Sequence, residues 1–214
     1  MFPTASARKV IVFAKAPRAG FAKTRLAPLL GADGAAALHA KLIDRTLETA
    51  CRAGIGDVEL HGDPVSDGAL QASGRRHDVR LVGQSEGDLG ERMRFALEQA
   101  LTTCAHAILI GSDCPALTVQ HLRLAAAELT NGRDAVFVPV EDGGYALAGL
   151  ARCDPRLFQG ISWSTSAVMD ETRARLRVLG WRWRELETLW DVDTPRDYER
   201  LVASGLLERG VSQT

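Results

Sequence analysis

Residues 10–28 read VIVFAKAPRAGFAKTRLAP, a short apolar strand followed directly by a basic loop. The loop contains no acidic residue, and four basic side chains surround a single turn glycine: Lys15, Arg18, Lys23, Arg25 and Gly20. Glycine lets the backbone approach a bound anion closely, and Lys and Arg supply charge and forked hydrogen-bond donors. Because the net charge of the whole chain is only −1, this local excess of positive charge predicts a binding site for a polyanion.

This loop matches neither of two common phosphate-binding patterns. A Walker A loop needs Gly-x4-Gly-Lys-Ser/Thr, but Lys15 stands where the first glycine belongs, and two residues separate Gly20 from Lys23. No Gly-x-Gly-x-x-Gly fingerprint of a dinucleotide-binding fold follows any expected strand. On this segment alone, a solvated basic loop with ordinary turn chemistry remains an open alternative.

Length and composition predict one globular domain spanning residues 1–214. Hydrophobic residues make up 46% of the chain, enough for a substantial core. The charges are balanced, 26 basic against 27 acidic, which argues against a protein that binds nucleic acid through a large basic face. The four cysteines lack metal-binding or Cys-x-x-Cys spacing, and no apolar run suits a membrane span or a leader. We therefore expect a cytoplasmic protein with reduced thiols.

Strand patterns alternate with helix patterns along the chain, which favours a mostly parallel sheet covered by helices. Strands are expected at residues 10–14, 58–61, 79–82, 107–110, 135–139, 145–150 and 181–186. Helices are expected at residues 34–53, 89–101, 118–129, 166–179 and 195–202. A polar connection joins the second and third strands. The gap between residues 139 and 145 is too short for a helical crossover, so the chain must turn sharply or run antiparallel, giving a mixed sheet.

Asp113 follows the expected central strand, in the sequence AILI-GSDCP. Ligands bind at this edge of open α/β sheets. A phosphate held by Lys23 and Arg25 can face a carboxylate only if a divalent cation lies between them, and Mg²⁺ takes one or two carboxylates plus phosphate oxygens. Asp113 is therefore a predicted metal ligand. The alternative is an Asx turn before Pro115.

Two further acidic turns fall in loops. Asp142 precedes Gly143-Gly144-Tyr145, and Asp191 and Asp193 lie in WDVDTPRDY, residues 190–198. Each has an ordinary explanation, an Asp-Gly turn for Asp142 and the start of the last helix for Asp193. Taken together, these acidic turns and the basic loop predict a site for a metal-bound diphosphate.

The motif GDLGERM, residues 87–93, begins a helix with two glycines. Glycine in a first helical turn costs entropy, so a close approach of backbone to ligand would explain it, making Gly87 and Asp88 candidate nucleotide contacts. A capping box of Asp88 and Glu91 explains the pattern almost as well. Trp163, in SWST, is either an acceptor platform or a packed core residue.

The five histidines show no pairing with carboxylates or cysteines in the sequence. No Gly-x-Ser-x-Gly elbow is present either. We therefore expect neither a serine nor a cysteine nucleophile with a histidine partner.

Six motifs in order resemble the DUF2064 family of proposed glycosyltransferases, which includes members linked to arsenosugar biosynthesis. They are KAPRAGFAKTRLAP, GDLGERM, GSDCPALT, EDGGYALAGL, ISWST and WDVDTPRDY. That family belongs to the GT-A nucleotide-diphospho-sugar transferase superfamily. The chain is also similar to nucleotidyltransferases of the molybdenum-cofactor and phospholactate guanylyltransferase type.

The resemblance implies a GT-A-like Rossmannoid three-layer α/β/α sandwich with a mostly parallel mixed sheet. Asp113 and Asp193 would hold the metal, Mg²⁺ or Mn²⁺, and Asp142 would face the acceptor as a candidate base. Lys23 and Arg25 would also act in catalysis. The nucleotide-binding residues would come from the basic loop and from the GDLGERM motif: Ala14, Lys15, Gly20, Lys23, Arg25, Gly87 and Asp88.

The expected function is a metal-dependent transferase using a nucleotide-activated donor, with glycosyl transfer from a nucleotide-diphospho-sugar as the favoured reaction. Its partners would be a nucleotide or nucleotide-sugar and a small-molecule acceptor, without nucleic acid or a membrane span. Two alternatives stay open: a nucleotidyltransferase that releases pyrophosphate, and a non-catalytic nucleotide-binding module.

Overall fold

The computed structural model describes residues 8–207, a seven-stranded sheet with helices packed on it. The strands are β1 (Arg8–Lys15), β2 (Asp57–Asp63), β3 (Arg80–Gly83), β4 (His106–Gly111), β5 (Ala135–Pro139), β6 (Tyr145–Leu150) and β7 (Trp183–Glu185). The helices are α1 (Ala27–Ala53), α2 (Gly68–Arg76), α3 (Leu89–Leu101), α4 (Val119–Thr130), α5 (Val168–Leu179) and α6 (Pro195–Ser204). The outer parts of the expected domain, residues 1–7 and 208–214, lie outside the described residues.

The strand order across the sheet is β3-β2-β1-β4-β6-β5-β7. Strands β1 to β4 are parallel where they pair, and so are β5 and β7. Strand β6 runs antiparallel to both of its neighbours, β4 and β5. The mixed sheet expected from the short 139–145 gap is thus confirmed.

Strand β1 lies inside the sheet, between β2 and β4, and contributes to the apolar cores on both faces of the sheet. Successive side chains of a strand point to opposite faces. Val10 and Val12 share one core with residues of α1 and α4: Ile43, Leu47 and Leu122. Ile11 and Phe13 share the other with residues of α3 and α5: Leu97 and Leu176. This arrangement produces the three-layer α/β/α sandwich.

Helix ends follow the capping residues closely. Asp88 and Glu91 form the expected capping box at the start of α3. Thr118 and Thr194 cap α4 and α6 with their hydroxyls, and Gly54 ends α1 in the left-handed region. Helix α1 starts earlier than expected, at Ala27, because it runs across a break at Gly31, where φ is 72° and ψ is 163°.

Helix α2 is the element that the sequence pattern missed. It has nine residues and fills the polar connection between β2 and β3. Asp67 caps it, its side chain accepting hydrogen bonds from the backbone N–H groups of Ala69 and Leu70. Among its residues only Leu70 is a buried large apolar side chain, so no helical repeat is visible in the sequence. Within residues 8–207, no helix combines the length and apolarity that a bilayer crossing requires.

Candidate active site

A cleft of about 500 Å³ opens at the carboxyl ends of β1 and β4. The chain builds β1, β2 and β3 in one direction and then returns to place β4 on the other side of β1. Open α/β sheets bind ligands at such switch points, and this volume suits a small-molecule site. The basic loop after β1 and the turns after β4, β5 and β7 line the cleft.

Lys23 lies between two acidic residues at the bottom of the basic loop. Its Nζ is 2.7 Å from Oδ1 of Asp113 and 2.9 Å from Oδ1 of Asp193, and its side chain is only 4% exposed. Burial alone would lower the pKa of Lys23, but the two carboxylates outweigh it and raise the pKa above its ordinary value. The predicted phosphate-binding lysine is therefore a charged ammonium that pairs with both predicted metal ligands.

Asp113 sits just beyond β4, with about half of its side chain exposed to the cleft. Burial would raise the pKa of this carboxyl, but Lys23 and, more weakly, His39 lower it below its ordinary value. The backbone N–H of Val192 donates to the Asp113 carbonyl at 2.9 Å. This hydrogen bond ties the last acidic turn to the end of β4, which brings Asp193 into the site.

Three carboxylates converge opposite the basic loop. Oxygens of Asp142, Asp191 and Asp193 all lie within 4.8 Å of one another. Burial and the charges of Asp142 and Asp193 raise the pKa of Asp191 to about 7. Mutual repulsion of this kind, among oxygen ligands of the type that Mg²⁺ and Mn²⁺ take, is relieved by a divalent cation, so these residues fit such an ion. Asp113, although a predicted ligand, is not part of this three-carboxylate group.

His39 is a buried cleft residue that the sequence did not single out. Its Nε2 donates to the carbonyl of Lys15 at 3.1 Å, and its Nδ1 lies 3.5 Å from Oδ1 of Asp113. Burial is the main reason that the pKa of His39 lies below its ordinary value, and it outweighs the raising effect of Asp113.

The expectation that the histidines lack carboxylate partners is wrong. Four of the five histidine rings lie beside a carboxylate. Three of these carboxylates are distant in sequence and one is on the same strand; the contacts are His39–Asp113, His61–Glu59, His77–Asp44 and His121–Glu187. Because three of the four partners come from other elements, only the fold reveals them.

Two other basic residues of the loop face the cleft. Lys15 and Arg25 are exposed and line it, and neither forms an ion pair with a residue of the described range 8–207. Arg18 instead pairs with Asp67 at 2.6 Å and lines a smaller neighbouring cavity. Lys15 and Arg25 are therefore the loop cations available to an anion in the main cleft.

The remaining loop positions serve mainly to shape the backbone. Gly20 has a φ of 79°, which favours glycine, and does not line the cleft. Ala14 does line it, and its carbonyl accepts a hydrogen bond from Gln84 Nε2 at 3.3 Å. No motif in the sequence marks Gln84 as a site residue.

The GDLG turn has a structural explanation. Gly87 has a φ of 109°, and Asp88 caps α3 by accepting from the backbone N–H of Glu91 at 2.8 Å. At Gly90, a Cβ atom would overlap the indole of Trp163. The structure places neither Gly87 nor Asp88 on the cleft wall, where Leu89 and Trp163 lie instead.

Arg92, in the same motif, also lines the cleft, although its residue type and position alone do not mark it as a site residue. Its Nη1 donates to Gln84 Oε1 at 3.0 Å and lies 3.3 Å from Oδ2 of Asp63. The arginine thus links α3 to the ends of β2 and β3. The sequence signal that could have marked Arg92 as a site residue is its place in GDLGERM, one of the motifs that resemble the DUF2064 family.

A sequence profile of one protein family matches the middle of the chain. The family is described as "Uncharacterized protein conserved in bacteria (DUF2064)", and the match spans residues 46–165. A search of curated proteins gave no significant match.

Several solved structures share the fold over almost the entire chain. A protein from Desulfovibrio desulfuricans G20, provisionally named a nucleotide-diphospho-sugar transferase, has a TM-score of 0.84 at 29% identity, covering 94% of this chain and 88% of its own. CMP:2-keto-3-deoxy-manno-octonic acid synthetase, solved with CTP, has a TM-score of 0.64 at 11% identity, with coverages of 95% and 100%. Rv0371c from Mycobacterium tuberculosis H37Rv, solved with manganese, has a TM-score of 0.51 at 20% identity, with coverages of 92% and 99%.

Proposed function

This chain belongs to the DUF2064 family, and we propose that it is a transferase using a nucleotide-activated donor, with glycosyl transfer from a nucleotide-diphospho-sugar as its reaction. One observation carries the proposal: two exposed loop cations and a three-carboxylate group line the same cleft of about 500 Å³. The fold, shared with the D. desulfuricans protein and with a synthetase solved with CTP, supports it. We also propose that residues 1–214 act as one domain.

Lys15 and Arg25 are the proposed phosphate contacts of the donor. Both are exposed in the cleft. Hydrogen bonds from such cations to phosphate oxygens are stronger than neutral ones, and arginine can bind two oxygens at once. Lys23 lies deeper and shares its charge between Asp113 and Asp193.

Asp142, Asp191 and Asp193 are the proposed ligands of a divalent metal ion, Mg²⁺ or Mn²⁺. When bound, such an ion stabilises the negative charge that develops on a leaving diphosphate. Asp113 lies beside the group and is linked to Asp193 through Lys23. The carboxylates, through the bound ion, would orient the donor in the cleft at the carboxyl ends of β1 and β4.

Asp142 has a second candidate role, that of a base for the acceptor hydroxyl. It lies in the turn after β5, and its Oδ1 accepts a hydrogen bond from the backbone N–H of Gly144 at 2.8 Å. Its closeness to Asp191 and Asp193 favours the ligand role over the base. The acceptor would approach from the side of Tyr145 and Trp163, which line the cleft nearby.

A thermal-shift panel of NTPs, NDPs and NDP-sugars, each with Mg²⁺ and with EDTA, tests the proposal. We expect an NDP-sugar to raise Tm by several degrees with Mg²⁺ and to lose that effect with EDTA or in Asp191→Asn. Stabilisation by ligand follows from binding to the folded state alone. No shift with any nucleotide would contradict the function.

A nucleotidyltransferase is the second candidate, and the likeness to a synthetase solved with CTP favours it. The same cations and carboxylates would then act on leaving pyrophosphate. Preference for an NTP over its NDP-sugar, with release of pyrophosphate on addition of an acceptor, would identify this reaction. Tight binding without turnover over a broad acceptor panel would instead indicate a nucleotide-binding module.

A further inference from the structure

We propose that Arg200, on α6, is a positioning residue for the three-carboxylate group of Asp142, Asp191 and Asp193. It holds the turn that carries Asp142 against the acidic turn, residues 190–193, that carries the other two. The inference rests on the proposed function only for the identity of the bound ion, a divalent cation. Its tests use a metal ion alone, without nucleotide or turnover.

The three carboxylates come from two segments of the chain that run side by side. Val140 pairs with Leu189 in a parallel bridge, and the backbone N–H of Glu141 donates to the carbonyl of Leu189 at 3.0 Å. Asp142 and Asp191 follow within two residues of this pairing. Their oxygens lie within 4.8 Å of one another, so like charges repel where the backbone pairing has already ended.

Arg200 links the two segments at this point. Its Nη1 donates to both oxygens of Glu141, at 3.0 and 2.8 Å. The guanidinium carbon lies 4.5 Å from the centre of the Trp190 ring, within the range of a cation–π contact. Glu141 directly precedes Asp142, and Trp190 directly precedes Asp191. One guanidinium therefore contacts the neighbour of an acid in each segment.

The indole beneath the guanidinium is anchored in the core. Trp190 is only 8% exposed and packs in one apolar cluster with Leu26, Val192 and Leu201. These residues belong to the basic loop, the acidic turn and α6, so all three parts share one support. Leu201 is the neighbour of Arg200 on α6, and its burial fixes the helix beneath the arginine.

The first turn of α6 also binds the acidic turn. Oδ2 of Asp197 accepts hydrogen bonds from the backbone N–H groups of Asp193 and Thr194, at 3.1 and 2.7 Å. Arg200 follows three residues further along the same helix. Helix α6 therefore fixes one acid through its first turn and, through Arg200, the turn of Asp142.

A positioning role and a simple charge effect predict opposite results for the loss of Arg200. The arginine is a positive charge near the proposed cation site, so charge alone predicts tighter metal binding when it is removed. A residue that holds the ligands together predicts weaker binding instead. Outer residues that orient metal ligands typically contribute about 10–100-fold to metal affinity.

The first test is titration of the full chain with Mn²⁺ alone, followed by the EPR signal of the free ion. We expect Arg200→Gln to weaken Mn²⁺ binding by about tenfold, and Arg200→Lys, which keeps the charge, to recover part of that loss. Because the pair of Arg200 and Glu141 is about half exposed, Tm of Arg200→Gln in EDTA should fall by no more than about 4 °C. Unchanged or tighter Mn²⁺ binding in Arg200→Gln would overturn the proposal.

Arg196→Gln is the matched control. Arg196 is an exposed arginine of the same helix, and its replacement changes the net charge equally. Exposed charges are screened by salt, so its Mn²⁺ affinity should stay within about twofold of wild type. Equal weakening in Arg196→Gln and Arg200→Gln would show that contact with Glu141 and Trp190 is not the cause.

Glu141→Asp keeps the proposal falsifiable if Arg200→Gln does not fold. The substitution preserves the charge but shortens the side chain, which withdraws the carboxylate from Arg200. Charge alone predicts no change, whereas positioning predicts weaker Mn²⁺ binding. A wild-type affinity in Glu141→Asp would contradict the link.

The double variant Glu141→Gln with Arg200→Gln separates the two effects once more. By charge alone, the two replacements act in opposite directions and the double variant returns to wild-type affinity. By positioning, both break the same link, so the double variant should remain weaker than wild type and lose less than the two single losses combined. Recovery of wild-type affinity would overturn the proposal.

The Mn²⁺ titrations and the nucleotide panel fail independently. Absence of Mn²⁺ binding by the wild-type protein would overturn both this inference and the proposed metal ligands. Failure of every nucleotide in the thermal-shift panel would refute the proposed donor and leave the Mn²⁺ results unaffected.

Discussion

The indole of Trp163 occupies the space in which a side chain at Gly90 would begin. Gly90 lies in the first turn of α3, and Trp163 comes from the loop before α5, so the contact joins two elements at the wall of the cleft. The second glycine of the GDLG turn is therefore required by a neighbouring side chain, and not by the backbone conformation of the helix.

Gly90→Ala should destabilise the protein and disturb the cleft. Overpacking typically costs about 1–3 kcal/mol, partly offset here by the better helix propensity of alanine. Urea unfolding would measure the loss, and a smaller nucleotide-induced shift would report the displaced indole. The double variant Gly90→Ala with Trp163→Ala should lose less stability than the sum of the two single losses, because the alanine no longer meets the indole, and strictly additive losses would refute the explanation.

Lys15→Met and Arg25→Met should each weaken nucleotide binding without large effects on stability. Both residues are exposed in the cleft. A hydrogen bond to a charged group contributes about 1.5–3 kcal/mol, which corresponds to a loss of roughly 10–100-fold in affinity. Calorimetric titration with the preferred nucleotide would check this.

Arg18→Met is the matched control for those two variants. Arg18 belongs to the same loop, but its guanidinium pairs with Asp67 and lies outside the main cleft. Its nucleotide affinity should therefore remain close to wild type. Equal weakening in all three variants would mean that the loop acts through its total charge and not through two specific contacts.

Asp191→Asn should stabilise the protein in EDTA and abolish its response to a divalent cation. The substitution keeps the size of the side chain but removes one of three close negative charges. Less repulsion favours the folded state, while the loss of a ligand weakens the site for the metal. Melting curves with EDTA and with Mg²⁺ would show both effects, and a lower Tm in EDTA would contradict the repulsion.

The stability of the protein should fall as the pH drops from about 4.5 to about 2, partly through Glu59. A hydrogen bond with His61 is the largest cause that lowers the pKa of Glu59. Burial opposes it, but Lys9 adds to the lowering, and the net result is a pKa of about 2. Because this pKa is depressed in the folded state, the carboxylate contributes stability above the unfolded value, and protonation removes it as the pH falls.

Glu59→Gln isolates that contribution. The amide cannot ionise, so the variant should be less stable than wild type at pH 6, and the difference should shrink towards pH 2. Unfolding by urea across this range would measure it. Glu48→Gln, in a partly exposed pair with Arg52 on α1, serves as control. A difference between Glu59→Gln and wild type that stays constant with pH would argue against a depressed pKa.

Local signals predicted most of the fold. Helix α3 has the same bounds as expected, Leu89–Leu101, because a capping box and a regular apolar repeat mark it. Strands β5 and β6 also agree with expectation, since both are short apolar runs bounded by turns. Helix α2 escaped because a nine-residue polar helix with one buried leucine has no periodic signal.

The sequence predicts which residues belong to the candidate site, but not which of their side chains contact one another. The sequence identified Lys23, Asp113 and Asp193, yet it could not show that one ammonium pairs with both acids, since Lys23 and Asp193 are 170 positions apart. Nor could it show that Asp191 and Asp193 both point toward Asp142. Both lie in an irregular segment, where no alternation of faces determines the direction of a side chain.

The support shared by Leu26, Trp190 and Val192 has a consequence for the order in which the protein acquires its chemistry during synthesis. The ribosome makes the basic loop near the start and the acidic turn near the end, after the last strand, β7, is complete. A nascent chain halted between residues 185 and 190 would possess the seven strands of the sheet, the basic loop and two acids of the cleft, Asp113 and Asp142, but it would lack Asp191 and Asp193. The sheet can thus be finished before the three-carboxylate group is complete, and synthesis of residues 190–193 completes it.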